Sequence, residues 1–149
     1  VAISPDGTWL ATACRDRTVR IWDRATGRCT ATLIGHTGSV ESVAISPDGT
    51  WLATACRDRT VRIWDRATGR CTATFTHTNP VGSVAISPDG TWLATTSIDG
   101  ELRIWSVSRQ RTVAVARADA RLHSCGWGPG GPDVALASER GVYLFVLLT

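Results

Sequence analysis

The 149-residue chain has no methionine, no lysine and no Cys-x-x-Cys pair, and its longest apolar run covers only residues 142–148. That run is about a third of the length that a membrane-spanning helix needs, so we expect no membrane segment. The number of cysteines is odd and four of them are two residues copied once, which argues against disulfide or metal chemistry. We therefore expect a chain without metal or cofactor in a reducing cytoplasm. The cysteines are Cys14, Cys29, Cys56, Cys71 and Cys125.

Positive charge comes from arginine alone, and thirteen acidic residues oppose the sixteen arginines, leaving a formal net charge of +3. A nucleic-acid-binding face concentrates basic residues, so these mixed signs argue against a nucleic-acid partner. A GC-rich coding sequence explains the lack of lysine as readily as selection for anion binding does.

An internal repeat dominates the sequence. The tetrapeptide Ser-Pro-Asp-Gly begins at Ser4, Ser46 and Ser87, and residues 1–32 recur without change as residues 43–74. A third copy diverges after residue 95, and a degenerate fourth lies between residues 124 and 148. Because the chain opens within a repeat and lacks methionine, we expect it to be a segment of a longer protein.

Each repeat contains short apolar stretches with a period of two residues and many β-branched side chains, which predicts strands. The turns between them are short, so the strands form antiparallel meanders. One such sheet cannot bury its faces alone and must stack on its neighbours, as in a β-propeller. We predict an all-β fold of four blades, the last lacking its outer strand. The predicted blades within the 1–149 propeller segment span residues 1–34, 35–75, 76–117 and 118–149.

The repeat resembles the WD-repeat β-propeller family, whose units carry Gly-His near the start and Trp-Asp near the end. Here these pairs are Gly35-His36 and Trp64-Asp65. The resemblance covers essentially the whole chain. It implies four-stranded blades around a central axis, and four blades amount to about half of a ring of eight.

The resemblance also implies a buried hydrogen-bond relay in each blade, formed by a histidine, a Ser or Thr, an aspartate and a tryptophan. Its role is structural, since the buried indole and imidazole need partners, and no residue is expected to be catalytic. In the second unit Cys56 is the alternative to Thr54 for the hydroxyl position, and in the third Thr95 is the alternative to Ser97. The expected members are His36, Thr54, Asp58 and Trp64 in the second unit, His77, Ser97, Asp99 and Trp105 in the third, and Asp16 and Trp22 in the first.

Four arginines flank the turns between the second and third strands of the first two units. In the family this turn lies on the top face of the propeller, so these residues are candidates for binding a partner. They are Arg15, Arg17, Arg57 and Arg59.

The sequence favours a non-enzymatic protein-interaction scaffold or sensor module of a larger protein, similar to the propeller ends of signalling proteins. Identical units argue against an enzyme, because catalysis needs different residues in different roles. The alternative is a propeller lectin, since equivalent pockets add avidity toward a repeated glycan. Because four blades leave two apolar faces open, we also expect self-association into a closed ring.

Overall fold

The computed structural model describes residues 1–148 as fifteen strands in four antiparallel sheets of four, four, four and three strands. Each sheet is a meander of strands consecutive in sequence, which confirms the predicted all-β architecture and the missing outer strand of the last blade. The described residues contain no helix of the length and apolar character that crossing a bilayer requires.

The strands group into blades in chain order, with the inner strand first. Blade 1 contains β1 (Ala2–Ile3), β2 (Trp9–Ala13), β3 (Val19–Asp23) and β4 (Cys29–Leu33). Blade 2 contains β5 (Val40–Ile45), β6 (Trp51–Cys56), β7 (Thr60–Asp65) and β8 (Cys71–Thr76). Blade 3 contains β9 (Val81–Ile86), β10 (Trp92–Ser97), β11 (Glu101–Ser106) and β12 (Arg111–Arg117). Blade 4 contains β13 (Leu122–Trp127), β14 (Asp133–Ser138) and β15 (Gly141–Val146).

The Ser-Pro-Asp-Gly segment is the turn that joins the first two strands of a blade. In blade 2 the Ser46 hydroxyl donates to the Asp48 carboxylate at 2.7 Å and accepts from the backbone N–H of Trp51 at 3.1 Å. Gly49 has a φ of 70°, the positive value predicted for it from the turn chemistry. The turn therefore fixes where the second strand begins.

Each blade has a front face, which points toward the preceding blade, and a back face, which points toward the following one. The front face of blade 2 places Val43, Leu52 and Trp64 in an apolar cluster with blade 1. Its back face places residues such as Ala53 and Ile63 in a second cluster with blade 3. A third cluster joins blades 3 and 4. The core is thus divided among the junctions between successive blades, as expected for stacked sheets.

One end of each junction carries a tryptophan from the earlier blade and the residue that follows the third strand of the later blade. Between blades 1 and 2, the Arg66 guanidinium lies 4.7 Å from the centre of the Trp9 ring. Between blades 2 and 3 the corresponding residues, Trp51 and Val107, are both apolar. Arg66 N–H donates to the Thr50 carbonyl, and Val107 makes the equivalent bond to Thr91, which establishes the correspondence.

Two faces have no neighbouring blade among residues 1–148. The front face of blade 1 leaves Val1 and Ile3 with 83% and 59% exposure. The back face of blade 4 leaves Val142, Leu144 and Val146 exposed. Both faces consist of the residue types that fill the three covered junctions, and no blade within residues 1–148 covers them.

Replacing Arg66 by alanine should lower the free energy of unfolding by about 0.5–2 kcal/mol, because the cation stacks on the largely buried Trp9 ring. Arg70→Ala removes the same charge from an exposed position and serves as the matched control. Chemical denaturation of both variants measures the difference. Equal free energies of unfolding would contradict a stabilising role for the stacked cation.

Candidate functional site

Blade 2 contains a continuous hydrogen-bond chain on its front face. His36 contacts the Asp58 carboxylate through Nδ1 at 2.8 Å and the Thr54 hydroxyl through Nε2 at 2.7 Å. The indole N–H of Trp64 donates to the same hydroxyl at 2.9 Å. Thr54, rather than the alternative Cys56, therefore occupies the hydroxyl position. The structure brings together the four residues expected in this unit.

The electrostatics of this chain favour a neutral imidazole and an ionised carboxylate. Burial lowers the pKa of His36, and the hydrogen bond that His36 donates to Asp58 offsets only part of that effect. Burial alone would raise the pKa of Asp58, but hydrogen bonds from Thr60, His36 and Thr37 outweigh it and hold the pKa well below its usual range. His36 thus donates from Nδ1 to Asp58 and accepts at Nε2 from Thr54.

A close approach between two loops makes this arrangement possible. A side chain at Gly38 would place its Cβ 2.8 Å from the backbone nitrogen of Asp58, so only glycine fits there without a shift. The approach lets the backbone N–H of Thr37 donate to the Asp58 carboxylate at 3.0 Å. Thr60 adds two further bonds to that carboxylate from its N–H and hydroxyl.

His36, Cys56 and Asp58 also form a compact set of possible metal ligands, with their donor atoms within 4.8 Å of one another. Their chemistry fits a hydrogen-bond chain better than a metal site. Both imidazole nitrogens and the carboxylate are already engaged. Burial raises the pKa of Cys56 to about 11, so its sulfur remains a thiol, whereas a metal ligand must be a thiolate.

Blade 3 forms a shorter chain, and two of its expected members are corrected. His77 Nε2 contacts the Thr95 hydroxyl at 2.8 Å, and the Trp105 indole donates to that hydroxyl at 2.7 Å. Ser97 instead donates to Asp99, and neither of these two residues is hydrogen-bonded to the histidine. The hydroxyl position belongs to Thr95, the alternative to Ser97.

The hydrogen-bond chain of blade 3 differs from that of blade 2 because the residue at the close approach between the two loops is not glycine. Asn79 stands where blade 2 has Gly38, and its side-chain amide donates to the Asp99 carboxylate at 2.8 Å. His77 Nδ1 has no hydrogen-bond partner among the described residues and lies 3.8 Å from the buried carboxylate of Glu101. Glu101 stands at the position that Thr60 occupies in blade 2. This difference between the two repeats is the sequence feature that could have indicated a contact between Glu101 and His77.

Blade 1 retains only part of the chain. The Trp22 indole donates to the Thr12 hydroxyl at 2.9 Å. Asp16 accepts hydrogen bonds from Thr18 and pairs with Arg20 at 2.6 Å, and about half of its side chain is exposed. Among the described residues, no histidine therefore links the two expected members of this unit, Asp16 and Trp22, by hydrogen bonds.

The four candidate arginines lie at exposed turns at one end of blades 1 and 2. Arg17 and Arg59 have positive φ values of 73° and 69°, so they occupy turn tips in a conformation that side chains rarely adopt. Arg57 pairs with Glu41 at 2.7 Å. Arg15 is exposed. The equivalent turn of blade 3 has no arginine, whereas that of blade 4 carries the exposed Arg140.

A groove that the sequence did not indicate lies beside these turns, where the inner strands of blades 2, 3 and 4 begin. Its volume is about 170 Å³, and its polar lining comes from Glu41, Arg57, Arg121 and His123. Ile98 supplies apolar surface. The groove is assembled from residues about 40 positions apart, which only the stacking of blades brings together.

Asp58→Ala should cost about 1–3 kcal/mol more than Asp16→Ala, although the two residues have identical flanking sequences. The larger loss follows because His36 and the Thr37 N–H lose an acceptor in blade 2, whereas Asp16 serves no histidine. Denaturant unfolding of the two variants measures the difference. Equal losses in the free energy of unfolding would show that the hydrogen bonds of Asp58 to His36 and Thr37 add no stability beyond the turn bonds that both aspartates make.

Lowering the pH should destabilise the protein partly through His77. Burial and the Arg103 cation lower its pKa to about 4, whereas the unfolded value is about 6.5. The folded state therefore binds fewer protons, so stability is full above pH 6.5 and falls as the pH approaches 4, by roughly 3 kcal/mol at most. His77→Gln should flatten this part of the profile of unfolding free energy against pH. An unchanged slope of the unfolding free energy between pH 4 and pH 6.5 in this variant would contradict the contribution of His77.

Comparison with known proteins agrees with this geometry. The family described as the IFT122 first beta-propeller matches residues 1–145. A Lissencephaly-1 homolog of Dictyostelium discoideum is 57% identical over 35 residues, which are 24% of this chain and 8% of that protein. Pre-mRNA-splicing factor PRP46 of Saccharomyces cerevisiae is 46% identical over 44 residues, 29% of this chain and 10% of the relative. Since the family match covers nearly the whole chain and the sheets are stacked antiparallel meanders of four, four, four and three strands, the chain belongs to the WD40-type β-propeller family.

Proposed function

We propose that the chain is a non-enzymatic protein-interaction scaffold that binds an acidic segment of a partner protein at the arginine-bearing turns. The observation that carries this proposal is the placement of Arg15, Arg17, Arg57 and Arg59 at exposed turns on one end of two adjacent blades. Two identical turns side by side offer repeated guanidinium groups, which bind carboxylates in a bidentate geometry.

The adjacent groove supports the same proposal. Arg57 and Arg121 line it beside Ile98, so it combines cationic groups with apolar surface. An acidic peptide with one apolar side chain would fit both features. Glu41 pairs with Arg57 at 2.7 Å, so an acidic ligand must compete with Glu41 for that guanidinium.

The buried hydrogen-bond chains do not favour an enzyme. His36 and His77 are 6% and 3% exposed, so neither imidazole can reach a substrate. The lectin alternative requires equivalent pockets in the repeated blades. The grooves beside Trp51 and Trp92 have different linings, with Val107 and Gln110 at the first and a proline-glycine turn at the second.

The scaffold is proposed to work as a sensor or interaction module within a larger protein. The aligned segments span only 8–10% of the length of the relatives named above, so their own activities are not transferred to this chain. A reducing compartment such as the cytoplasm is proposed from the cysteine pattern, because the number of cysteines is odd and four of them are two residues copied once.

Reversal of the four turn arginines to glutamate should weaken binding of a glutamate-rich peptide by about tenfold or more, because the repeated cations become repulsive. Reversal of Arg28, Arg70, Arg109 and Arg111 at the opposite end makes the same charge change and is the matched control. Fluorescence anisotropy at physiological salt measures both affinities. Similar losses in the two variants would indicate a response to net charge alone and would overturn the proposed site.

A further inference from the structure

At the first two junctions between blades, a tryptophan lies beside the residue that follows the third strand of the next blade. The sequences around Trp9 and Trp51 are identical, since residues 1–32 recur as residues 43–74. The Arg66 guanidinium lies 4.7 Å from the centre of the Trp9 ring, and Trp9 is 8% exposed. Val107 occupies the same position beside Trp51, which is only partly buried. The two junctions therefore differ in whether a cation covers the indole.

The shorter side chain of Val107 leaves a groove between blades 2 and 3. Its volume is about 260 Å³, below the roughly 300 Å³ at which small-molecule pockets begin, so it suits a single side chain. Trp51, Ile63 and Val107 supply its apolar walls. Blades 2 and 3 each have a neighbouring blade on both sides, so the groove does not depend on the two uncovered faces.

Asp65 gives this groove a negative charge. It is the one charged residue among those that line the groove within residues 1–148. Hydrogen bonds from the N–H and the hydroxyl of Thr68, at 2.7 and 2.8 Å, lower the pKa of the Asp65 carboxyl below its usual range, so the group is ionised at neutral pH. Asp65 forms no ion pair within the described part of the chain. Arg109 and Arg111 lie nearby in sequence but are exposed, and neither lies over the Trp51 ring.

Arg66 shows which chemistry the identical tryptophan site accepts. Its Nε atom is buried and has no hydrogen-bond partner among residues 1–148, and its guanidinium forms no ion pair there. Stacking on the Trp9 ring is therefore the main contact of its charged end. The face of an indole attracts a guanidinium through the ring quadrupole, and a nearby carboxylate adds to that attraction. Trp51 and Asp65 provide both groups in a groove that the chain leaves open.

We propose that the groove beside Trp51 is a second binding site, which takes an arginine side chain of a partner protein with its guanidinium stacked on the Trp51 ring and facing Asp65. The ligand occupies the place over Trp51 that Arg66 occupies over Trp9. Trp51 begins β6 and Arg57 follows the last residue of that strand, so the site lies at the opposite end of the blade from the arginine-bearing turns. It goes beyond the proposed function and does not rest on it.

Capped single residues test the site in the full chain. N-acetyl-arginine amide should shift the indole N–H signal of Trp51 in ¹H–¹⁵N NMR spectra until the site is saturated, and Trp51→Phe identifies that signal by its loss. N-acetyl-citrulline amide has nearly the same shape without the charge and should bind about five- to tenfold more weakly. Equal affinities of the two probes would overturn a cation site. A Trp51 signal that ignores the arginine probe at concentrations on the order of tens of millimolar would also overturn it.

Exchange of the residues beside the two indoles supplies matched variants. Val107→Arg should place the chain's own guanidinium over Trp51 and abolish the response of the Trp51 signal to the arginine probe. Arg66→Val should open the equivalent groove beside Trp9, so the Trp9 signal should then respond with an affinity within about threefold of that at Trp51. Binding that persists in Val107→Arg, or a Trp9 signal that stays unchanged in Arg66→Val, would contradict the proposal.

Removal of the carboxylate tests the contribution of charge. Asp65→Asn keeps an oxygen that accepts from Thr68, so the turn should stay intact while the affinity for the arginine probe falls about fivefold. Asp23→Asn changes the identical turn of blade 1, where Arg66 already covers the tryptophan, and should leave that affinity unchanged. Equal losses in the two variants would remove Asp65 from the site.

The Trp51 site and the arginine-bearing turns are tested independently of each other. Val107→Arg should leave the affinity for the glutamate-rich peptide unchanged, and reversal of the four turn arginines should leave the affinity of the Trp51 site within about twofold. A failure confined to the Trp51 response overturns this inference alone. A failure confined to the glutamate-rich peptide contradicts the proposed function and leaves the arginine site in place.

Discussion

The packing of one blade against the next is the constraint on which this structure depends. A four-stranded antiparallel sheet of this composition has apolar side chains on both faces, and it cannot cover either face itself. The three apolar clusters accordingly lie at the three junctions between successive blades. Blades 2 and 3 are covered on both sides, whereas blades 1 and 4 each keep one open face. Removing water from apolar surface contributes about 25 cal/mol per Å², so each junction stabilises the two blades that it joins.

The buried polar chain follows from the same packing. His36, Thr54 and Trp64 lie on the front face of blade 2, beneath blade 1, where each polar atom must find a partner within the protein. Because this chain anchors the loop before the inner strand to the turn between the second and third strands, it fixes the position of the exposed arginines. The buried residues hold the blade together, and the exposed turn residues remain available for binding.

Much of the fold could be predicted from the sequence, because turn chemistry and strand periodicity are local. The Ser-Pro-Asp-Gly turns marked the strands, and the strand grouping of four, four, four and three is confirmed. The polar chain was less predictable, since hydrogen-bond partners depend on loop geometry. Residue spacing alone does not distinguish Thr95 from Ser97 as the hydroxyl partner of His77. It also does not indicate that Asp99 accepts a hydrogen bond from Asn79 instead of from His77. The groove lined by Arg57 and Arg121 requires the stacking angle of the blades, which no single repeat encodes.

The central claim is that coverage by a neighbouring blade, rather than the local sequence, stabilises each repeat. Leu10 and Leu52 lie in identical sequences, but Leu52 is fully buried beneath blade 1 and Leu10 lies on the open face. The most direct test compares Leu52→Ala with Leu10→Ala by denaturant unfolding, at the same protein concentration for both variants. We expect Leu52→Ala to cost about 2–5 kcal/mol and Leu10→Ala to cost less than about half as much. Equal costs for the two substitutions would contradict the account.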